Sequence, residues 1–124
     1  MQKRIPDSLP ISEALKSSAI SLNDIGVADI AWPRAEALDV ITQLHSTIWA
    51  ILGGDVLAHT GRRYEYTHNN WHSGPAPAET CREFVPRSHR ESRVYIERYP
   101  EPPESRVVYS LVFAPCEGRL LDLT

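Results

Sequence analysis

Long apolar runs are missing from this 124-residue sequence: the longest extends only from Ile48 to Leu52 before Gly53, Gly54 and Asp55 stop it. That is far below the ~18 residues of a membrane span, so a soluble chain with no membrane contact is expected. Cysteine is scarce. Cys81 and Cys116 lie far apart with no CxxC spacing, which predicts reduced, partly buried thiols rather than a disulfide framework or a zinc knuckle. Charge of one sign is not in excess either. A formal net charge of -3, with 13 basic and 16 acidic residues, excludes a strongly basic nucleic-acid binder and an acidic disordered tail. The opening Met1-Gln2-Lys3-Arg4-Ile5-Pro6-Asp7 has no apolar stretch and no cleavage pattern, so a cytoplasmic location is expected. No internal repeat with a period of ~20 to 50 residues is present, which sets solenoids aside.

What is present suits one globular domain over residues 1–124, with 42% hydrophobic residues to build its core. Ile11 to Ile20 carries apolar residues at helical spacing, with Ser12 available as the cap. Residues 21–27 pass through turn-forming Asn, Asp and Gly, while Leu22, Ile25 and Val27 remain apolar enough to pack as a buried connection. Trp32-Pro33-Arg34 starts the clearest helix, in which Ala37, Leu38, Ile41, Leu44, His45 and Ile48 repeat at three and four residues. Trp49 to Ala58 reads as a strand interrupted by Gly53-Gly54, a pair that implies a bulge or the close approach of another backbone or ring.

Thr60 to Arg63 predicts a turn, and Tyr64 to Thr67 a short partner strand at the edge of the sheet. His68 to Pro75 reads as a polar loop centred on Trp71. A long helix follows from Ala78 to Tyr99, with Cys81, Phe84, Val85, Ser88, Ser92, Tyr95 and Ile96 on one face and five arginines largely off it. Pro86 must sit in its first turns or kink it. Arg106 to Ala114 is apolar on both faces and belongs in mid-sheet, paired with the Trp49 to Ala58 strand. In the tail, Leu120, Leu121 and Leu123 could dock or fray. The fold class expected is α+β: a small single layer of about three mostly antiparallel strands with about three helices packed on it.

No catalytic set stands out. Cys81 near a helix start could act as a nucleophile with one of the five histidines, but it shares the apolar face with Phe84 and Val85, the setting of a structural cysteine. His59, His68 and His72 with Asp55 match no zinc framework. Gly53-Gly54-Asp55 lacks the phosphate-loop pattern, and Asp55 would repel an anion. No metal and no cofactor is therefore expected. Charge is concentrated between Ile20 and Ala58, where Asp24, Asp29, Glu36, Asp39 and Asp55 face Arg34 alone. A solvated helix face explains that acidity as well as attraction of a basic partner does.

Three stretches together resemble one family: Ile20-Ser21-Leu22-Asn23-Asp24-Ile25-Gly26-Val27 followed by Ile30-Ala31-Trp32, then Ile51-Leu52-Gly53-Gly54-Asp55-Val56, then Asn70-Trp71. They are similar to immunity proteins of bacterial polymorphic-toxin systems, the class numbered forty, over roughly Pro10 to Ala114. Asn69 stands where the family pattern usually has an acid before the Asn-Trp or Ser-Trp pair. The resemblance implies a small α+β protein, encoded beside a toxin, that protects the cell by binding the toxin and is not an enzyme. The partner expected is a cognate toxin domain, with a basic nuclease suggested by the acidic span. The expected contact residues are Trp32, Asp55, Tyr64, Tyr66, Asn70 and Trp71, chosen because hot spots favour Trp and Tyr. Gly53-Gly54 would also let Trp71 lie on the sheet while Asp55 caps its indole or the neighbouring loop amides. The alternatives are a small hydrolase or transferase using Cys81, and a structural interaction module.

Overall fold

The computed structural model of the protein describes residues 5–23 and 29–117. Asp24, Ile25 and Val27, and the tail leucines Leu120, Leu121 and Leu123, lie outside the described residues. The order is α1 (Glu13–Ser18), β1 (Ile20–Ser21), β2 (Ile30–Ala31), α2 (Arg34–Gln43), β3 (Trp49–His59), β4 (Tyr64–His72), α3 (Cys81–Arg98) and β5 (Val107–Pro115). The fold is α+β, as expected. A three-stranded antiparallel sheet has the order β4-β3-β5, with β3 in the middle.

Local chemistry sets the helix starts. Ser12 caps α1, its side chain accepting from the Leu15 amide at 3.2 Å. Pro33 precedes α2, where a missing N–H costs nothing. Thr80 and Glu83 form a reciprocal capping box on α3, satisfying two amides that would otherwise be orphaned. Pro86 lies inside α3, in its second turn, where its ring is exposed.

Four expectations change. The helix starting at Arg34 stops at Gln43, because Ser46 takes a left-handed φ of 65° and Thr47 bonds back to Leu44. Leu44 is still buried, but His45 and Ile48 face solvent. Residues 68–72 are strand and not loop: they continue β4 against Gly53, Gly54 and Asp55. β1 and β2 form a second, two-stranded sheet that residues 21–27 gave no sign of. That small sheet is joined to β5 by reciprocal backbone bonds between Trp32 and Tyr109, at 2.9 and 2.7 Å.

The fourth change concerns the cysteines. Cys81 and Cys116 form a disulfide, with Cα atoms 5.7 Å apart, so the free thiols expected from their spacing are not there. The spacing conceals the pairing because α3 folds back over the sheet and brings its first residue beside the residue that follows β5. Around the bond, Ala50, Phe84 and Val85 make a small apolar cluster with Cys116. The main core lies between the sheet and the helices, with Trp32, Val40, Ile41, Leu44, Ile51, Val56, Ile96 and Tyr109 at its centre.

Gly53 and Gly54 shape the middle strand. The register shifts between Ile51 and Gly53 on the β5 side and between Asp55 and Leu57 on the β4 side. Gly53 has a φ of +147°, and a Cβ there would strike the Trp71 carbonyl oxygen. At Gly54 a Cβ would overlap both the Trp71 ring and the Ser110 carbonyl oxygen. The Ile51 amide, beside the bulge, bonds instead to the buried Ser88 Oγ at 3.1 Å.

Two stability outcomes follow. Replacing both cysteines by serine, or reducing the bond, is expected to cost about 2–4 kcal/mol, read as a shift in denaturant midpoint that reductant produces in the wild type and not in the variant. Gly54→Ala is expected to cost about 1–3 kcal/mol, the usual range for an overpacked site; an unchanged thermal midpoint would contradict the close packing of Trp71 on the strand.

Candidate interaction surface

Alternation along β3 and β4 sends neighbours to opposite faces of the sheet. On the helix side, Trp71 lies over Gly54, stacks on Tyr95 with ring centroids 4.7 Å apart, and donates from its indole nitrogen to Ser92 Oγ at 3.0 Å. Ser92 is buried on α3. The indole is therefore capped by Ser92 and not by Asp55, whose side chain belongs to the other face. Tyr99, beyond Tyr95 on the same helix side, accepts at its hydroxyl from Asn69 Nδ2 at 2.9 Å.

On the face turned away from the helices, Asn70, Asp55 and Ser110 stand side by side across β4, β3 and β5. Tyr66, Leu57 and Val108 form the next row, which Leu22 and Ala31 of the small sheet cover in part. Asp29 reaches this face from the residue before β2. Its Oδ2 accepts from Ser110 Oγ at 3.0 Å and its Oδ1 from the Ile30 amide at 2.8 Å. The side chain of Asp55, half-buried, has neither hydrogen bond nor ion pair among the described residues. Burial first, and then the negative charge of Asp29, hold its carboxyl above the ordinary carboxylate value. The Tyr66 hydroxyl is pushed up by burial, by Asp29 and by Asp55, so these three groups share one electrostatic site. Val112, 47% exposed, adds an apolar side chain to the same face.

Of the six residues expected at a contact surface, Asp55, Tyr66 and Asn70 are brought together here. Trp71 is half-buried on the opposite side of the sheet. Trp32 is not a surface residue: it is 0% exposed, and its indole nitrogen donates to the Leu15 carbonyl at 2.9 Å. Tyr64 is buried with Leu22, Ala31, Leu57 and Val108, its ring edge-on to His59. Both are core residues, because each must cover apolar surface where the small sheet meets the large one. Asp29 was visible only as one acid in an acidic span. That span is divided in space, with Glu36 and Asp39 on α2 and Asp29 and Asp55 on the sheet.

The chemistry weighed for catalysis finds little geometry. Cys81 has its sulfur bonded to Cys116 and offers no thiolate while that bond is intact. No group of three or more His, Cys, Asp or Glu among the described residues could hold a metal ion. His59 is occupied locally, accepting at Nδ1 from the Gly61 amide at 3.1 Å.

A raised carboxylate pKa in the folded state means that the native protein disfavours ionised Asp55. Its stability contribution is full below the ordinary carboxylate pKa and is lost as pH rises through the raised value. Asp55→Asn is thus expected to leave stability equal or higher at neutral pH, with the difference from wild type vanishing in acid. Denaturant midpoints across that range check this, and a loss of stability at neutral pH would make Asp55 a structural residue.

Neither curated proteins nor solved structures gave a match to the chain. A family model described as Immunity protein 40 matches residues 21–113, a span that begins in β1, ends within β5 and contains Asp29, Asp55, Tyr66 and Asn70. The chain belongs to the Immunity protein 40 family.

Proposed function

We propose that this immunity protein neutralises a cognate toxin domain by binding it, without catalysis, through the open face of the sheet around Asp55, Asn70 and Tyr66. The observation that carries this is the isolation of Asp55: a half-buried carboxylate beside a second one, with no counter-ion among the described residues. Such an arrangement costs stability in the free protein, and a lysine or arginine from a partner would offset the cost. Functional sites are where local electrostatics of this kind is tolerated. The partner that fits is basic at its contact surface, as a nuclease that binds a phosphate backbone is. Tyr66 adds a half-buried aromatic ring with a polar tip, and Val112 an apolar contact at the rim.

The compartment is a separate matter. In the bacterial cytoplasm, thiol systems would keep Cys81 and Cys116 reduced. The disulfide favours an oxidising compartment as the place of encounter, and thiol trapping in intact cells separates the two.

Co-expression with the toxin domain encoded beside it is expected to rescue growth, and the two proteins to co-purify. Asp55→Lys should weaken the complex at least ~100-fold, because like charges juxtaposed in an interface cost several kcal/mol, while the variant stays folded. Rising salt should weaken wild-type binding. A toxin that is neither bound nor inhibited by the purified protein would sink the reading, and full protection by Asp55→Lys would move the interface elsewhere.

A further inference from the structure

The outer side of α3 carries a second kind of surface. Arg82, Pro86, Arg90, Val94 and Arg98 recur every fourth residue, and all five are exposed. In a helix this spacing makes an inclined ridge, with the arginines about 12 Å apart along the axis. The other two arginines of the helix are neutralised: Arg87 pairs with Glu79 and Glu91, at 2.7 and 3.0 Å, and Arg93 with Glu97 at 3.9 Å. The side chains of Arg82, Arg90 and Arg98 have neither hydrogen bond nor ion pair among the described residues. Lone exposed arginines are ordinary; three in register, alternating with apolar side chains, are not.

The ridge is flanked at each end by a groove. Near its start, a cleft of about 380 Å³ is lined by His45, Ile48, Val85 and Pro86 beside Arg82. Near its end, a groove of about 470 Å³ lies between Asn69 of β4 and Val94, Tyr95, Tyr99 and Pro100, beside Arg98. Among the described residues the exposed large hydrophobics are Ile48 at 50%, Val94 at 45% and Val112 at 47%, and two of these three sit at the two grooves. Apolar side chains left in water beside unpaired cations are what an interface with a polar rim presents before its partner arrives.

We propose that the Arg82–Arg90–Arg98 ridge of α3 with its two flanking grooves is a docking surface for an acidic polypeptide segment, whose separated carboxylates meet the arginines while its apolar side chains enter the grooves. Charge complementarity selects this occupant. Cations about 12 Å apart along the axis, with Pro86 and Val94 between them, match carboxylates and apolar side chains spaced along a polypeptide better than the closely spaced charges of a phosphate chain. The surface lies across the sheet from Asp55, so it is distinct from the one proposed for the toxin and stands whether or not that proposal does.

The test uses fluorescence anisotropy with the whole protein and three labelled probes: a short peptide in which glutamate alternates with leucine and tyrosine, its lysine counterpart, and a single-stranded oligonucleotide. The glutamate peptide is expected to bind, with affinity reduced at least ~10-fold by the double substitution Arg90→Glu, Arg98→Glu and again by Val94→Asp, and unchanged by Asp55→Lys. Matching thermal unfolding of the variants shows that the fold is intact. Equal binding by wild type and the double variant overturns the proposal, as does tighter binding of the oligonucleotide or the lysine peptide. Self-association of the wild type that Arg90→Glu abolishes also overturns it, by making a second copy of the chain the occupant.

Discussion

The absence of a side chain at Gly54 is the constraint on which the arrangement depends. It lets the Trp71 indole settle flat against the central strand, where the ring stacks on Tyr95 and its N–H reaches Ser92. An edge strand with polar residues on both sides has little reason of its own to stay paired. Here one tryptophan ties β4 to both the sheet and α3. The period-two geometry of a strand then sends Asn70 and Asp55 to the other face, away from the helices.

Around that tie the molecule compensates for its irregular centre with small polar groups on α3. Ser88 Oγ accepts from the Ile51 amide beside the bulge, and Ser92 Oγ accepts from the Trp71 indole N–H. His89, buried two turns into the helix, meets the Trp49 carbonyl at 2.7 Å, with burial keeping its pKa below the usual imidazole value. None of these is expensive, because each buried side-chain N or O atom among the described residues has a partner. Farther out, Arg87 with Glu79 and Glu91, and Arg34 with Glu101, hold the segments before and after α3 against the body of the protein. Hydrogen bonding to Arg87 draws the Glu79 carboxyl down to about 2.

On the open sheet face Asp29 is held by Ser110 and the Ile30 amide, whereas the Asp55 side chain has no partner among the described residues. Among the described residues, no cation answers Asp55 and Asp29, which share that face with Tyr66, and the far side of α3 presents arginines that no acid answers. A chain whose net charge is only -3 thus carries two surfaces of opposite sign on opposite sides of its sheet. Net charge hides this, since it sums over faces that a partner meets one at a time.

Much of the fold was legible along the chain: the cap at Ser12, the helix start at Pro33, the apolar face of α3, the doubly apolar β5 and its pairing with β3 all follow from periodicity and helix-start chemistry, which act over a few residues. So does the need for a ring or backbone beside Gly53-Gly54. The length of β4 was not legible, because His68 to His72 has no strand pattern and is held by pairing with β3. Nor were the roles of Trp32 and Tyr64, since a tryptophan before a helix and a tyrosine on an edge strand look like surface anchors until the small sheet covers them. The disulfide and the meeting of Asp29 with Asp55 belong to the same class. Residues distant along the chain become neighbours only when the layers pack, and it is packing that decides which cysteines bond and which carboxylates are left without a counter-ion.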